Sequence, residues 1–361
     1  MSGPKLRAGV VGLGWAGRQH MAAYAGSPDV ELVGIAGMEA EALQELGDQY
    51  GIVAEQRHRD WKALIASAEL DVLSIATPTT LHAPIAVAAL DAGVHVLSEK
   101  PMAENAGVAQ TMVDAAKRNG KVLDVLFNHR RRGDVKALKK LVDAGMLGDI
   151  YYAKAGWLRR EGIPGLGSWF TRRATAGGGP LMDLGVHMLD MTLHLLHEPA
   201  VRTATAAVYA EFGPRGRGGA SMTGKTGVEN SPYDVEDLST AFLRLEGGGT
   251  LLLESSWAQW IPRDQCYVTL YGSEGGASIE WGGDPANPYH SMNIWTEKDG
   301  VPAVLQPNVP PDGRHTEAVL DFVAAVLAGE LEGHQGQEAL TRAAVVDACY
   351  ASAEKGAEVT L

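Results

Sequence analysis

Hydrophobic positions in the first third of the chain follow two alternating patterns. Unbroken apolar runs in LRAGVVGLG, VELVGIAG, LDVLSIATP, VHVLSEKP and KVLDVLFNHR predict strands buried on both faces. Between them, WAGRQHMAAYAGS, EAEALQELGDQYG, RDWKALIAS, APIAVAALDAG and AQTMVDAAKRNG space their apolar residues as helices do. Alternating strand and helix predict a parallel sheet covered on both faces. Right-handed crossovers then make it a doubly wound, nucleotide-binding domain over residues 1–127.

The pattern changes beyond residue 128. DVKALKKLVDAG predicts an amphipathic helix. DIYYAKAGWLRR, VRTATAAVYAEF, LSTAFLRLEGG, GTLLLESSWAQW and QCYVTLYGSEGG then predict long strands, several divided by GG turns. That is a largely antiparallel sheet in a second domain over 128–361. The Gly-, Ser- and Thr-rich stretch 213–232 reads as a loop, and HTEAVLDFVAAVLAGE and EALTRAAVVDACYASAEKG as two further helices.

Composition narrows the partners. A formal net charge of −13 over 361 residues argues against a nucleic-acid groove or an anionic membrane surface. No apolar run reaches membrane-spanning length, and MSGPKLRAGVVG enters a strand pattern without a secretory apolar region. Cys266 and Cys349 form neither a C-x-x-C motif nor a disulfide framework, which fits a reducing cytoplasm.

Four stretches carry candidate chemistry. GLGWAG, Gly12 to Gly17, is a G-x-G-x-x-G between strand and helix: Gly12 for the tight turn, Gly14 for close approach of a pyrophosphate, Gly17 for helix–strand packing. The acidic residue that holds ribose hydroxyls after the second strand is missing, since Gly37 and Met38 stand there. Glu39, Glu41 and Glu45 follow and would repel a 2′-phosphate, which favours NAD over NADP, with Arg57 and Arg59 in reach from the next connection. ATPTTLH, Ala76 to His82, ends another strand; Thr77 and Pro78 either border the cofactor or form a turn that starts a helix. SEKP places Lys100 at a strand's carboxyl end, either as a proton-exchanging group in the crevice or as a solvated lysine paired with Glu99. Pro101 restricts Lys100 to extended backbone. AGGGPLMDLGVHMLDMTLHLL begins a helix at Pro180 and sets Asp183, His187, Asp190 and His194 on one face. A carboxylate one turn before an imidazole can orient it and support its charged form. The alternatives are a plain polar stripe or a metal pair; no third ligand is evident, so no metal is expected.

Taken in order, these motifs resemble the glucose–fructose oxidoreductase / inositol dehydrogenase / rhizopine catabolism (Gfo/Idh/MocA) family over nearly the whole chain. The markers are Gly12-Leu-Gly-Trp-Ala-Gly17, Thr77-Pro78, Glu99-Lys100-Pro101 and Gly177-Gly-Gly-Pro-Leu-Met-Asp183-Leu-Gly-Val-His187-Met-Leu-Asp190. The resemblance implies an α/β protein: a Rossmann domain followed by an α+β domain with a large open, mainly antiparallel sheet. It implies hydride transfer between NAD or NADP and a hydroxyl carbon of a sugar or cyclitol, with Lys100, Asp183 and His187 as the catalytic set. Lys100 or His187 takes the proton. Cofactor contacts carried over by motif are Gly12, Leu13, Gly14, Trp15, Ala16, Gly37, Met38, Ala76, Thr77, Pro78, His82, Glu99, Lys100, Asn128 and Trp169. Substrate contacts are Lys100, Trp169, Asp183, His187 and Trp257, the two tryptophans offering either a face for a sugar ring or sheet packing. Where many family members carry Trp-Arg before the glycine run, this chain has Trp169-Phe170, so that role is either vacated or taken by Arg172 or Arg173. Two other activities exist within such a superfamily: glycoside hydrolysis through transient oxidation, and sugar sensing without catalysis. Apolar residues on alternate strand positions, such as Leu251, Leu253 and Val268, predict a sheet face covered by a second subunit, giving a homodimer or homotetramer.

Overall fold

The five apolar runs of the first third form β1 (Leu6–Val11), β2 (Val30–Ala36), β4 (Val72–Ile75), β5 (His95–Ser98) and β6 (Leu123–Val125), and the polar pair β3 (Arg57–His58), which the pattern does not predict, adds a sixth strand. The computed structural model describes residues 5–219, 233–284 and 287–361. These six strands are parallel, in the order β3-β2-β1-β4-β5-β6. The order reverses between β1 and β4, and in open α/β sheets the carboxyl ends at such a reversal border the ligand crevice. The intervening helices are α1 (Trp15–Gly26), α2 (Ala40–Gln49), α3 (Trp61–Ser67), α4 (His82–Asp91) and α5 (Ala106–Asn119). Their ends follow local chemistry. Asp60 accepts the Lys62 N–H at 3.0 Å to cap α3, and Asn105 accepts the Val108 N–H at 2.9 Å to cap α5. Gly120, at φ 59°, closes α5 behind Lys117 and Arg118.

The remaining helices are α6 (Gly133–Asp143), α7 (Arg173–Ala176), α8 (Val186–Leu195), α9 (Arg314–Ala328) and α10 (Gln337–Lys355). The second sheet comprises β7 (Ile150–Leu158), β8 (Val201–Tyr209), β9 (Leu238–Leu245), β10 (Thr250–Ser256), β11 (Gln265–Gly272), β12 (Gly275–Asp284), β13 (Asn287–Lys298), β14 (Val301–Leu305) and β15 (Val359–Thr360). Its order is β14-β13-β12-β11-β7-β10-β9-β8-β15, antiparallel except for the β7–β10 pair. The strands β12 to β14 were not anticipated, because glycines and polar residues interrupt their alternation. Of the expected loop 213–232, residues 220–232 lie outside the described residues.

One face of this sheet buries Ala153, Ala155, Leu251, Leu253, Val268, Leu270, Ala277 and Ile279. The segment Leu181–Gly185, α8 and α6 pack on the sheet. Leu251, Leu253 and Val268 therefore do not await a second subunit, as their alternation suggested: they are already buried within the one chain.

By contacts the chain divides into one unit of 1–131 with 313–343 and another of 132–312 with 344–361. A division at 127/128 had placed the whole tail in the second domain. The apolar stripe of α9 accounts for the difference: Val319, Phe322 and Val323 share a core with Met21 and Tyr24 of α1.

Candidate active site

In the first unit, Gly12 follows β1 at φ +95°, and a Cβ there would lie 2.2 Å from the Ala76 carbonyl oxygen. A Cβ on Gly17 would lie 1.9 Å from the carbonyl oxygen of Gly12, whereas one on Gly14 would meet nothing within 4 Å. Backbone crowding thus requires the outer two glycines. The middle one leaves open space at the α1 N-terminus, where no side chain caps the free N–H groups. Thr77 Oγ1, after β4, and Asn128 Oδ1, after β6, are buried without a hydrogen-bond partner among the described residues. Open N–H groups for a pyrophosphate, an orphaned hydroxyl and an orphaned amide oxygen along the same strand ends fit a dinucleotide. Leu13 is buried and Trp15 exposed.

The end of β2 is occupied by Leu13. A Cβ on Gly37 would come 2.7 Å from Leu13 Cγ, so an aspartate there must first displace that side chain. Arg57 is held by Asp48 at 2.8 Å and by the Ile52 carbonyl, while Arg59 donates to the Met38 carbonyl at 3.2 Å. Glu45 pairs with Arg18 at 2.8 Å, leaving Glu39 and Glu41 as the exposed acids beyond Met38.

Two expected cofactor contacts turn inward instead. Glu99 Oε1 takes a hydrogen bond from His20 Nε2 at 3.2 Å, and Oε2 accepts the Lys100 N–H at 3.2 Å. Burial pushes the Glu99 carboxyl up, but the His20 hydrogen bond and nearby positive groups bring it below the ordinary value. His82 is 1 % exposed; its Nδ1 lies 2.8 Å from the Pro101 carbonyl and its Nε2 2.9 Å from that of Thr77. It staples the Thr77-Pro78 turn to the Lys100-Pro101 segment, whose peptide bond is cis, and keeps no ring nitrogen for a ligand.

In the second unit the glycine run has a clear physical cause. A Cβ on Gly178 would lie 2.0 Å from the Tyr350 hydroxyl oxygen, and one on Gly179 2.1 Å from the Glu236 carbonyl oxygen. The buried Glu236 carboxylate accepts the N–H of Gly179 at 3.0 Å, the N–H of Leu181 at 3.1 Å and the Tyr350 hydroxyl at 2.9 Å. Burial raises its pKa. Leu181–Gly185 is a π-helical turn rather than the first turn of α8, so Asp183 does not continue the α-helical stripe of His187, Asp190 and His194. Such wide turns recur at functional sites.

Asp183 Oδ2 accepts the Trp257 indole N–H at 2.9 Å. Trp257 is 0 % exposed and packs with Ile163, Leu166, Leu184 and Val235. Of the two readings the sequence left for Trp257, its burial excludes a face for a sugar ring and leaves packing; its N–H holds Asp183. The half-buried Trp169 stacks on Phe170 with centroids 3.8 Å apart, and the Arg173 guanidinium lies 5.7 Å from the Tyr350 ring. Sequence reasoning missed the tryptophan beside His187: Trp157 on β7, with ring centroids 6.1 Å apart. Its strand position alone carried no signal.

The family model described as "Oxidoreductase family, NAD-binding Rossmann fold" matches residues 6–127, and that of the GFO/IDH/MocA C-terminal domain matches 135–278. D-glucoside 3-dehydrogenase of Escherichia coli (strain K12) is 32 % identical, spanning 100 % of this chain and 99 % of its own. Levoglucosan dehydrogenase of Pseudarthrobacter phenanthrenivorans is 31 % identical over 75 % of this chain and 72 % of its own. Among solved structures, levoglucosan dehydrogenase in complex with NADH and levoglucosan superposes with a TM-score of 0.82 at 24 % identity, covering 99 % of both chains, which shows the shared fold. With both domain models matched and a relative aligned end to end, the chain belongs to the Gfo/Idh/MocA family of oxidoreductases, with an NAD-binding Rossmann domain at its N-terminal end.

Proposed function

We propose that this protein oxidises a ring hydroxyl of a sugar or sugar derivative, with Lys100, Asp183 and His187 acting on that hydroxyl. The observation that carries the reading is Asp183, pinned by the Trp257 N–H at 2.9 Å, a few residues before His187, itself beside Trp157. The names of its relatives support the substrate class: D-glucoside 3-dehydrogenase, levoglucosan dehydrogenase and D-apiose dehydrogenase. When bound, the dinucleotide supplies the acceptor for the hydride that leaves the carbinol carbon. The Lys100 ammonium polarises the hydroxyl oxygen, His187 takes its proton, and the Asp183 carboxylate favours the resulting imidazolium. Half-buried Trp157, with the Arg159 guanidinium 5.4 Å from its ring, offers an apolar surface beside His187 for the C–H face of a sugar.

NAD is the preferred cofactor in this reading, because Glu39 and Glu41 would repel a 2′-phosphate. The second subunit covers the sheet face opposite the helices, where Tyr152 and Tyr271 stack at 5.2 Å and Phe242 and Trp295 are exposed. Light scattering at micromolar concentration would then give a dimer or tetramer. Both cysteines are free and buried, in keeping with a cytoplasmic protein, and no helix among the described residues is long and apolar enough to cross a membrane. The test is a panel of monosaccharides, glycosides and inositols with NAD and NADP, followed by nicotinamide absorbance. Reduced cofactor forming with a sugar supports the proposal. Sugar release without it, or cofactor binding with no turnover across the panel, would overturn it.

A further inference from the structure

We infer that His315, on α9, is a positioning residue for the dinucleotide: its neutral ring accepts the Asn128 amide N–H and so leaves Asn128 Oδ1 as the acceptor offered to the cofactor.

The two ends of an asparagine amide have nearly the same shape, so its partners decide which way it faces. Here Asn128 Nδ2 lies 3.1 Å from His315 Nδ1 and 3.4 Å from Nε2, so the shorter contact is to Nδ1. That contact is a hydrogen bond only if Nδ1 carries no proton. Glu99 sets this tautomer, with its Oε1 3.9 Å from His315 Nε2, so the negative charge favours the ring proton on that side. Glu99 is itself held by a directed chain. The Tyr24 hydroxyl lies 2.7 Å from Ser74 Oγ, Ser74 Oγ 2.9 Å from His20 Nδ1, and His20 Nε2 donates to Glu99 at 3.2 Å. His20, Tyr24 and Ser74 are fully buried. The chain of contacts ends on Asn128 Oδ1, which is buried and has no partner among the described residues. Trp15, in the glycine-rich turn, meets the His315 ring edge-on at 4.9 Å.

An orphaned carbonyl oxygen needs a donor. A dinucleotide supplies three kinds: the ribose hydroxyls, the adenine amino group and the carboxamide N–H2 of nicotinamide. The inference rests on Asn128 facing the dinucleotide, and it explains why Glu99 turns inward. The charged and titratable groups facing His315 are Glu99, His20, Arg314 and Lys100. Burial acts first to keep the ring neutral; Glu99 opposes this, and the other three assist it. Protonation in acid would convert Nδ1 from acceptor to donor, reverse the Asn128 amide and withdraw the acceptor from the cofactor.

The experiment measures NADH binding to the full chain by fluorescence, with no turnover. His315→Ala and Asn128→Ala should each weaken binding about tenfold near neutral pH, the effect of one oriented hydrogen bond. His315→Asn places an amide oxygen near the Nδ1 position; it should bind within about threefold of wild type and lack the weakening expected of wild type from about pH 8 to about pH 5. If Asn128→Ala weakens binding but His315→Ala does not, the role given to His315 is overturned. If Asn128→Ala binds as wild type does, the reading of Asn128 as a cofactor contact fails first. Should His315→Ala not fold, His315→Asn decides: acid weakening unchanged from wild type would sink the inference.

Discussion

Replacing Trp257 with phenylalanine tests how Asp183 is held. The indole N–H donates to Asp183 Oδ2 at 2.9 Å from a side chain with no solvent exposure. A phenyl ring keeps most of the packing against Ile163, Leu166 and Leu184 but removes that donor. A hydrogen bond to a charged acceptor contributes about 1.5–3 kcal/mol. If that energy holds Asp183 in its working position, kcat should fall by about 10- to 100-fold, at about 1.4 kcal/mol per factor of ten. Binding of NADH should change little, since Trp257 belongs to the second unit's core. Trp257→Leu is the companion variant: it removes the same donor but also loses aromatic volume, so it should unfold at lower temperature than Trp257→Phe while losing similar activity. Steady-state kinetics and thermal melts separate the two effects. If Trp257→Phe keeps wild-type kcat while Trp257→Leu loses it, the tryptophan matters for packing alone and the assigned hydrogen-bond role is wrong.

The glycine-rich turn should divide its positions by experiment: Gly17→Ala, forced against the Gly12 carbonyl, should lower the melting temperature, whereas Gly14→Ala should fold normally and weaken NADH binding. Lys100→Ala and His187→Ala should each lower kcat by about 10² to 10⁴ with little effect on NADH affinity, and the double variant should be little worse than either if, as proposed, both act on one proton. His334 is held above its ordinary value by its hydrogen bond to Asp124 at 2.9 Å. A raised folded value means the stabilisation is complete below the unfolded value of about 6.5 and fades as pH rises through the folded value. Asp124→Asn should therefore lower the melting temperature more at about pH 5.5 than at about pH 9; the reverse order would refute the assignment.

Local pattern alone determined much of this protein. Unbroken apolar runs alternating with helical spacing made the parallel sheet legible, because a strand buried on both faces leaves that mark in its own residues. The glycine spacing from Gly12 to Gly17 was legible for the same reason: its geometry involves neighbours a few residues away. Tertiary structure decided what those patterns could not carry. An apolar stripe on α9 says that a face must be buried, but only the fold assigns it to Met21 and Tyr24 of α1. The spacing of Asp183 and His187 suggested one continuous helix, and the glycine run packed under Glu236 and Tyr350 instead leads into a π-helical turn. Trp257 read either as a surface for substrate or as sheet packing, and only the fold decided: it is buried, with its partner 74 residues away. Glu99 and His82 stood in cofactor-lining motifs, but each found better-placed partners inside the first unit. His315 carried no motif; its contact with Asn128 spans 187 residues. Burial and hydrogen-bond satisfaction at that range depend on which distant groups the whole fold brings within about 3 Å, and no local spacing encodes that distance.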